Sequence, residues 1–167
     1  MTIVAADQPP AAPEGRFEGA TSYLHPGRFT VSAEPTLVTT ILGSCVSLCL
    51  WDGASGIGGI NHFLLPESLS ATRSPRFARP ACEDLLERLL ALGARRTSLR
   101  GKLFGGAALS GGAAGSIGSR NVDAARQFVV EAAIPLVAED VGGGRGRKLL
   151  FETASGAAWV RLLRCGE

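Results

Sequence analysis

The sequence predicts an α+β fold. Short β-type runs bounded by turn residues recur along the chain, two stretches space their apolar residues for helices, and no stretch repeats at a fixed period. With 167 residues the chain has the size of a single domain and can bury about two-thirds of its unfolded surface. Apolar residues make up 46% and charged residues 19%, the balance of a globular chain rather than a disordered one.

Residues 1–20 carry Pro9, Pro10 and Pro13 among alanines and few large apolar side chains, so a disordered tail is expected there, followed by one domain over residues 21–167. Order should begin near Tyr23-Leu24-His25-Pro26-Gly27, with strands at 29–32 and 36–42 and a hairpin pairing 45–50 with 57–64. Residues 67–79 are polar and contain proline, which reads as a mobile loop. Pro80 opens a helix that runs to Leu92 and closes at Gly93. Its stripe of Leu85, Leu86, Leu89 and Leu92 faces the core, with Asp84 and Arg88 spaced for an i,i+4 ion pair. A strand over 97–104 leads into a segment of Gly, Ala and Ser at 105–119. Asn121 then reads as the N-cap of a second helix that ends before Pro135 and buries Val122, Ala125, Val129 and Ala132. A strand at 136–139, a glycine turn at 142–144 and a hairpin over 148–163 complete the chain.

The hairpin carries the chemistry. Asp52-Gly53 between two apolar runs is a strong hairpin signal, and a turn centred between Gly53 and Ala54 sets Cys45 opposite His62. Directly opposed residues on one face have Cβ atoms roughly 4.5–5.5 Å apart, within reach of a thiol–imidazole hydrogen bond. An activated cysteine nucleophile needs that pairing. By alternation Val46, Leu48 and Leu50 share one face with Phe63, while Cys45, Ser47 and Cys49 share the other with His62. The first face reads as core, the second as a site or a more sparsely packed surface. A slip of one residue would send the thiol and the imidazole to opposite faces. Backbone N–H groups at Gly43, Ser44 and Cys45 are placed to face an oxyanion. From the chemistry alone deamidation, proteolysis and acyl transfer are not separable, because all pass through a thioester.

The runs Leu42-Gly43-Ser44-Cys45-Val46-Ser47-Leu48-Cys49-Leu50 and Gly58-Gly59-Ile60-Asn61-His62-Phe63-Leu64-Leu65-Pro66 resemble the signature of the chemoreceptor glutamine deamidases of bacterial chemotaxis, the CheD family. Lys102-Leu103-Phe104-Gly105-Gly106-Ala107, Ile117-Gly118 with Arg120-Asn121, and Ala138-Glu139-Asp140-Val141-Gly142-Gly143 extend the resemblance in unbroken order over residues 22–162. It implies a cysteine hydrolase that converts receptor glutamines to glutamate, with a two-sheet β core, helices on its outer faces and a Cys–His hydrolase-like architecture. It implies Cys45 as nucleophile, His62 as base and Thr39 as the hydroxyl that orients the imidazole. Thr40 stands next to it and threonine is common in any strand, so on sequence alone an ordinary structural role for Thr39 has equal weight. Substrates would be the cytoplasmic helices of chemoreceptors, with a CheC-type phosphatase as a further partner. The alternative is a non-catalytic chemotaxis adaptor that binds such a phosphatase or the receptors, a reading the intact Cys–His–Thr set argues against.

Other classes fit less well. A net charge of +2 gives no basic footprint for nucleic acid, and no apolar run approaches the ~20 residues of a membrane span. The N-terminus lacks a basic segment followed by an apolar run, so no signal peptide is expected and the protein reads as cytoplasmic. Cys45, Cys49, Cys82 and Cys165 have no CxxC spacing and read as reduced thiols. Cys49 lies ~13 Å along the strand from Cys45, too far for a disulfide or a shared metal. Two histidines in separate segments make a zinc site improbable, and the glycine-rich run lacks a Gly-Lys-Ser/Thr ending, so no metal or cofactor is expected. Close backbone packing or a substrate-facing loop suits that run better. Arg95, Arg96, Arg100 and Lys102 read as a solvated edge able to attract an acidic surface.

Overall fold

A computed structural model describes residues 2–3, 17–109 and 115–164. Most of the tail expected over 1–20, the middle of the glycine-rich segment and Cys165 lie outside the described residues. The elements in chain order are β1 (Thr2–Ile3), β2 (Ala20–Tyr23), β3 (Arg28–Ser32), β4 (Thr36–Leu42), β5 (Val46–Asp52), β6 (Ile57–His62), α1 (Ala78–Ala91), β7 (Leu99–Gly105), α2 (Ile117–Glu131), β8 (Leu136–Val141), β9 (Arg147–Glu152) and β10 (Ala158–Leu162). They form two mixed sheets, ordered β1-β10-β9-β4-β2 and β3-β6-β5-β7-β8. Among the described strands, β2 with β4 and β7 with β8 pair in parallel and the other pairs are antiparallel.

Side-chain alternation divides the apolar residues into two layers. Val38 and Leu42 of β4 and Leu149 and Phe151 of β9 meet Cys49, Ile60 and Phe104 between the sheets. On the other side of the second sheet Val46, Leu48, Leu50, Phe63, Leu99 and Leu103 pack beneath both helices. The architecture is therefore a two-sheet core with α1 and α2 on the outer face of one sheet. The hairpin face expected to be a site or a more sparsely packed surface is buried between the sheets, with Ser47, Cys49 and His62 all covered. Strand β5 is apolar on both faces because it is buried from both sides.

Helix α1 starts two residues before Pro80, which sits harmlessly in the first turn, where N–H groups have no intrahelical partner. Leu85, Leu86 and Leu89 are buried as expected, but Leu92 is exposed, because it caps the helix and lies past the last turn that touches the sheet. Asp84 pairs with Arg73 at 2.7 Å rather than with Arg88. Asn121 is not an N-cap: Ser116 accepts from the Ser119 amide at 3.2 Å and starts α2 one turn earlier, placing Asn121 inside the helix. Lys102 is not on a solvated edge either. Its chain is buried between the sheets, with Nζ donating to the Gly156 carbonyl at 2.7 Å and lying 5.1 Å from the centre of the Trp51 ring. No helix among the described residues is long and apolar enough to cross a membrane.

Candidate active site

The sandwich end where β4 turns into β5 holds the candidate residues. Strand β4 belongs to one sheet and β5 to the other, so residues 43–45 cross between them. The β5–β6 pairing runs Asp52↔Ile57 to Cys49↔Ile60, with an isolated bridge at Val46↔Phe63. The loop is thus the four residues Gly53–Gly56, not a two-residue turn, and Asp52 holds it through its carboxylate, which accepts from the Ala54 amide at 3.0 Å. This moves the register by two residues: Ser47, not Cys45, stands opposite His62. An even shift keeps every side chain on its face. Cys45 and His62 therefore remain on the inter-sheet side, and Cys45 packs against the inter-sheet cluster.

His62 is 1% exposed, and a chain of hydrogen bonds fixes its ring. Nδ1 lies 2.9 Å from Oγ1 of Thr40, and that hydroxyl donates to the Leu24 carbonyl at 2.8 Å. A carbonyl can only accept, so Thr40 gives its proton to Leu24 and takes one from Nδ1–H of His62. The tautomer follows: Nε2 carries the lone pair, and Nε2 is buried without a partner among the described residues. Burial lowers the His62 pKa to about 4, with the Leu24 carbonyl offsetting part of the effect. The imidazole is accordingly neutral at pH 7 and available as a base.

Thr40, not Thr39, meets the imidazole. Thr40 is fully buried and shares the inward face of β4 with Val38 and Leu42, whereas Thr39 is half-buried on the opposite face with Ile41. The sequence TLVTTIL is apolar at both parities, so no pattern separated the two hydroxyls. The β6 backbone is shaped by Asn61, whose Oδ1 accepts the Leu48 amide at 2.8 Å where a ladder bond would otherwise form. Its Nδ2 lies 3.5 Å from Sγ of Cys82.

Cys45 is half-buried, while Cys49 and Cys82 are fully buried. Burial raises the Cys45 pKa, opposed by its own backbone N–H, so the resting group is a thiol. Burial pushes Cys82 up to about 12 and Cys49 well above its ordinary value. The turn before Cys45 is tied back by its carbonyls. Gly43 O accepts from the Ala107 amide at 2.8 Å, Cys45 O from the Gly106 amide at 2.8 Å, and Ser44 O from Nδ2 of Asn121 at 2.9 Å. The amides of Gly43, Ser44 and Cys45 have no backbone acceptor among the described residues. Gly105 permits this approach: its φ is 108°, and a Cβ there would stand 2.2 Å from the Cys45 carbonyl oxygen. The close backbone packing expected of the glycine-rich run is therefore found at its start.

Comparison with known proteins bears on this arrangement. A family described as CheD chemotactic sensory transduction matches residues 64–162. A protein of Anaeromyxobacter dehalogenans named probable chemoreceptor glutamine deamidase CheD 1 is 48% identical over 158 residues, covering 92% of each chain. Relatives named probable chemoreceptor glutamine deamidase CheD come from Trichlorobacter lovleyi, 46% identical over 80% of this chain and 85% of its own, and from Laribacter hongkongensis, 37% identical over 96% and 81%. The family match begins just past His62. The Anaeromyxobacter alignment is long enough that it must span Cys45 and His62.

Proposed function

The chain belongs to the CheD family, and on that premise we propose that it hydrolyses glutamine side chains of chemoreceptors to glutamate, with Cys45 as nucleophile and His62 as base. The observation that carries the mechanism is the His62–Thr40–Leu24 hydrogen-bond chain, which leaves Nε2 as a buried acceptor, without a partner among the described residues, on the face that Cys45 shares. Both groups are neutral at rest, so the proton leaves the thiol as sulfur attacks, rather than from a standing thiolate–imidazolium pair.

In the first half-reaction Sγ of Cys45 bonds to the carboxamide carbon, and its proton passes to Nε2. The carbonyl oxygen becomes an oxyanion, received by the amides of Ser44 and Cys45, which have no backbone acceptor among the described residues, with Gly43 supporting the turn. The imidazolium returns the proton to the departing nitrogen, which leaves as ammonia while a thioester remains on Cys45. In the second half, Nε2 takes a proton from water, the hydroxide adds to the thioester carbon, and sulfur leaves with that proton as the thiol. Glutamate is released. Thr40 keeps the proton on Nδ1 throughout, the role assigned by resemblance to Thr39.

Residues 21–167 act as one deamidase domain in the cytoplasm, on the cytoplasmic helices of receptors. A CheC-type phosphatase as an additional partner rests on the family resemblance alone. The test is intact-mass analysis of a glutamine-containing receptor fragment incubated with the wild type or with Cys45→Ala. Exchange of –NH2 for –OH adds about one mass unit per site. The wild type should add it and Cys45→Ala should not; a wild type that binds the fragment and never changes its mass supports the adaptor reading instead.

A further inference from the structure

Asn121 lies in the first turns of α2, away from the hairpin in sequence, yet its side chain is fully buried against both strand ends of the site. Its Nδ2 donates to Ser44 O at 2.9 Å and to Leu64 O at 2.9 Å. Two carbonyls can only be served by an amide nitrogen, so the amide orientation is fixed by its partners. Ser44 precedes Cys45, and Leu64 follows His62 by two residues. One amide group thus ties the segment bearing the nucleophile to the segment bearing the base. Oδ1 of Asn121 is buried without a partner among the described residues, a cost accepted in exchange for the two donated bonds. Gly118 brings α2 close enough: a Cβ there would stand 2.5 Å from the Gly106 carbonyl oxygen.

The consequence follows from peptide geometry. The unit joining Ser44 to Cys45 is planar and trans, so its C=O and N–H point in opposite directions. Gripping Ser44 O therefore sets the direction of the Cys45 N–H, which is one of the amides with no backbone acceptor. The neighbouring carbonyls, Gly43 O and Cys45 O, are held by backbone amides of Ala107 and Gly106. Among the described residues Asn121 supplies the one side-chain grip on this turn.

We propose that Asn121 is a positioning residue for the deamidation: through the Ser44 carbonyl it aims the Cys45 amide at the oxyanion, and through the Leu64 carbonyl it holds the strand end of His62 beside it. Asn121 touches neither substrate nor reacting atoms. Its effect is concentrated on the amide that receives developing charge, so steps that form an oxyanion should suffer well beyond those that do not.

That contrast supplies the test, which rests on the deamidase reading. Wild type, Asn121→Ala and Asn121→Ser are compared in ammonia release from a receptor fragment and in alkylation of Cys45 by iodoacetamide, with melting curves to establish folding. Alkylation forms a sulfur–carbon bond and expels iodide at a saturated carbon, with no oxyanion. Loss of an oxyanion donor costs roughly 10²–10³ in kcat, and a misaimed donor should cost about 10–10². Asn121→Ala is expected to lose that factor in kcat with KM and the alkylation rate within about twofold of wild type, and Asn121→Ser, which keeps one donor, to recover part of it. A folded Asn121→Ala with wild-type kcat overturns the proposal. So does a fall in alkylation that tracks kcat, which marks general disruption, and so does failure of both variants to fold, which assigns Asn121 to the fold alone. A wild type that releases no ammonia refutes the deamidase reading, and the proposal with it.

Discussion

Replacing Thr40 by Val keeps the shape of the side chain and removes the one atom that joins Nδ1 of His62 to the Leu24 carbonyl. In the wild type those contacts are 2.9 and 2.8 Å, and all three groups are buried. A net hydrogen bond is worth about 1 kcal/mol, and a stranded buried partner costs roughly 1–3 kcal/mol. Two effects follow. Stability should fall by about 1–3 kcal/mol, lowering the melting temperature by roughly 2–12 °C for a chain of this size. The imidazole also loses what holds its proton on Nδ1, so a share of molecules presents N–H instead of a lone pair at Nε2. A loss of 1–3 kcal/mol in the arrangement of the base corresponds to about 5- to 150-fold in kcat/KM. Thr39→Ala, on the opposite face of β4, should change kcat/KM by less than about twofold. Ammonia release from a receptor fragment at 25 °C, measured on variants shown to be folded, compares the two. Full activity in Thr40→Val, or a larger loss in Thr39→Ala, would refute the hydrogen-bond chain.

Two further expectations follow from burial. Iodoacetamide at pH 7.5 should label half-buried Cys45 before Cys49 and Cys82 in the native protein, since only the thiolate reacts and burial raises the other two further; peptide mapping with labelling of Cys82 ahead of Cys45 would contradict this. The second concerns acid. The His62 pKa is lowered from 6.5 to about 4 on folding, so below pH 6.5 the unfolded chain binds a proton that the folded chain refuses. Stability therefore falls as pH drops from 7 towards 4, by about 3 kcal/mol for this group, from 1.36 kcal/mol per pKa unit. Urea unfolding at both pH values should show that fall in the wild type and not in His62→Gln; equal falls in both would place it elsewhere.

Much of this was legible in the sequence because β alternation is unforgiving. The two faces of the β5–β6 hairpin, and the cysteine and histidine on one of them, follow from the spacing of Val46, Leu48, Leu50 and Phe63. The register was not legible: Asp52-Gly53 signals a tight turn, but the Asp52 carboxylate stabilises a longer loop by accepting the Ala54 amide. The error was survivable because it was even. Thr40 was hidden because β4 carries apolar residues on both faces, Leu37 and Ile41 beside Thr39 as well as Val38 and Leu42 beside Thr40, which erases the alternation that would separate the two hydroxyls. Asn121 and Lys102 were misread for a common reason. Each has a local role that its residue type favours, an N-cap for one and a solvated charge for the other. Each is instead held by carbonyls remote in sequence, Ser44 and Leu64 for Asn121 and Gly156 for Lys102. Those long-range partners exist only after the sheets have packed.

The central claim is that a hydroxyl and a carbonyl hold His62 neutral, with the proton on Nδ1 and the lone pair on Nε2. Nitrogen-15 NMR of the His62 ring reads this directly, because protonated and bare ring nitrogens resonate far apart. At pH 7 the account predicts a protonated Nδ1 and a bare Nε2, unchanged on acidification until the midpoint near 4. A proton on Nε2 at pH 7, or a ring that titrates near 6.5 as an exposed histidine does, would contradict it.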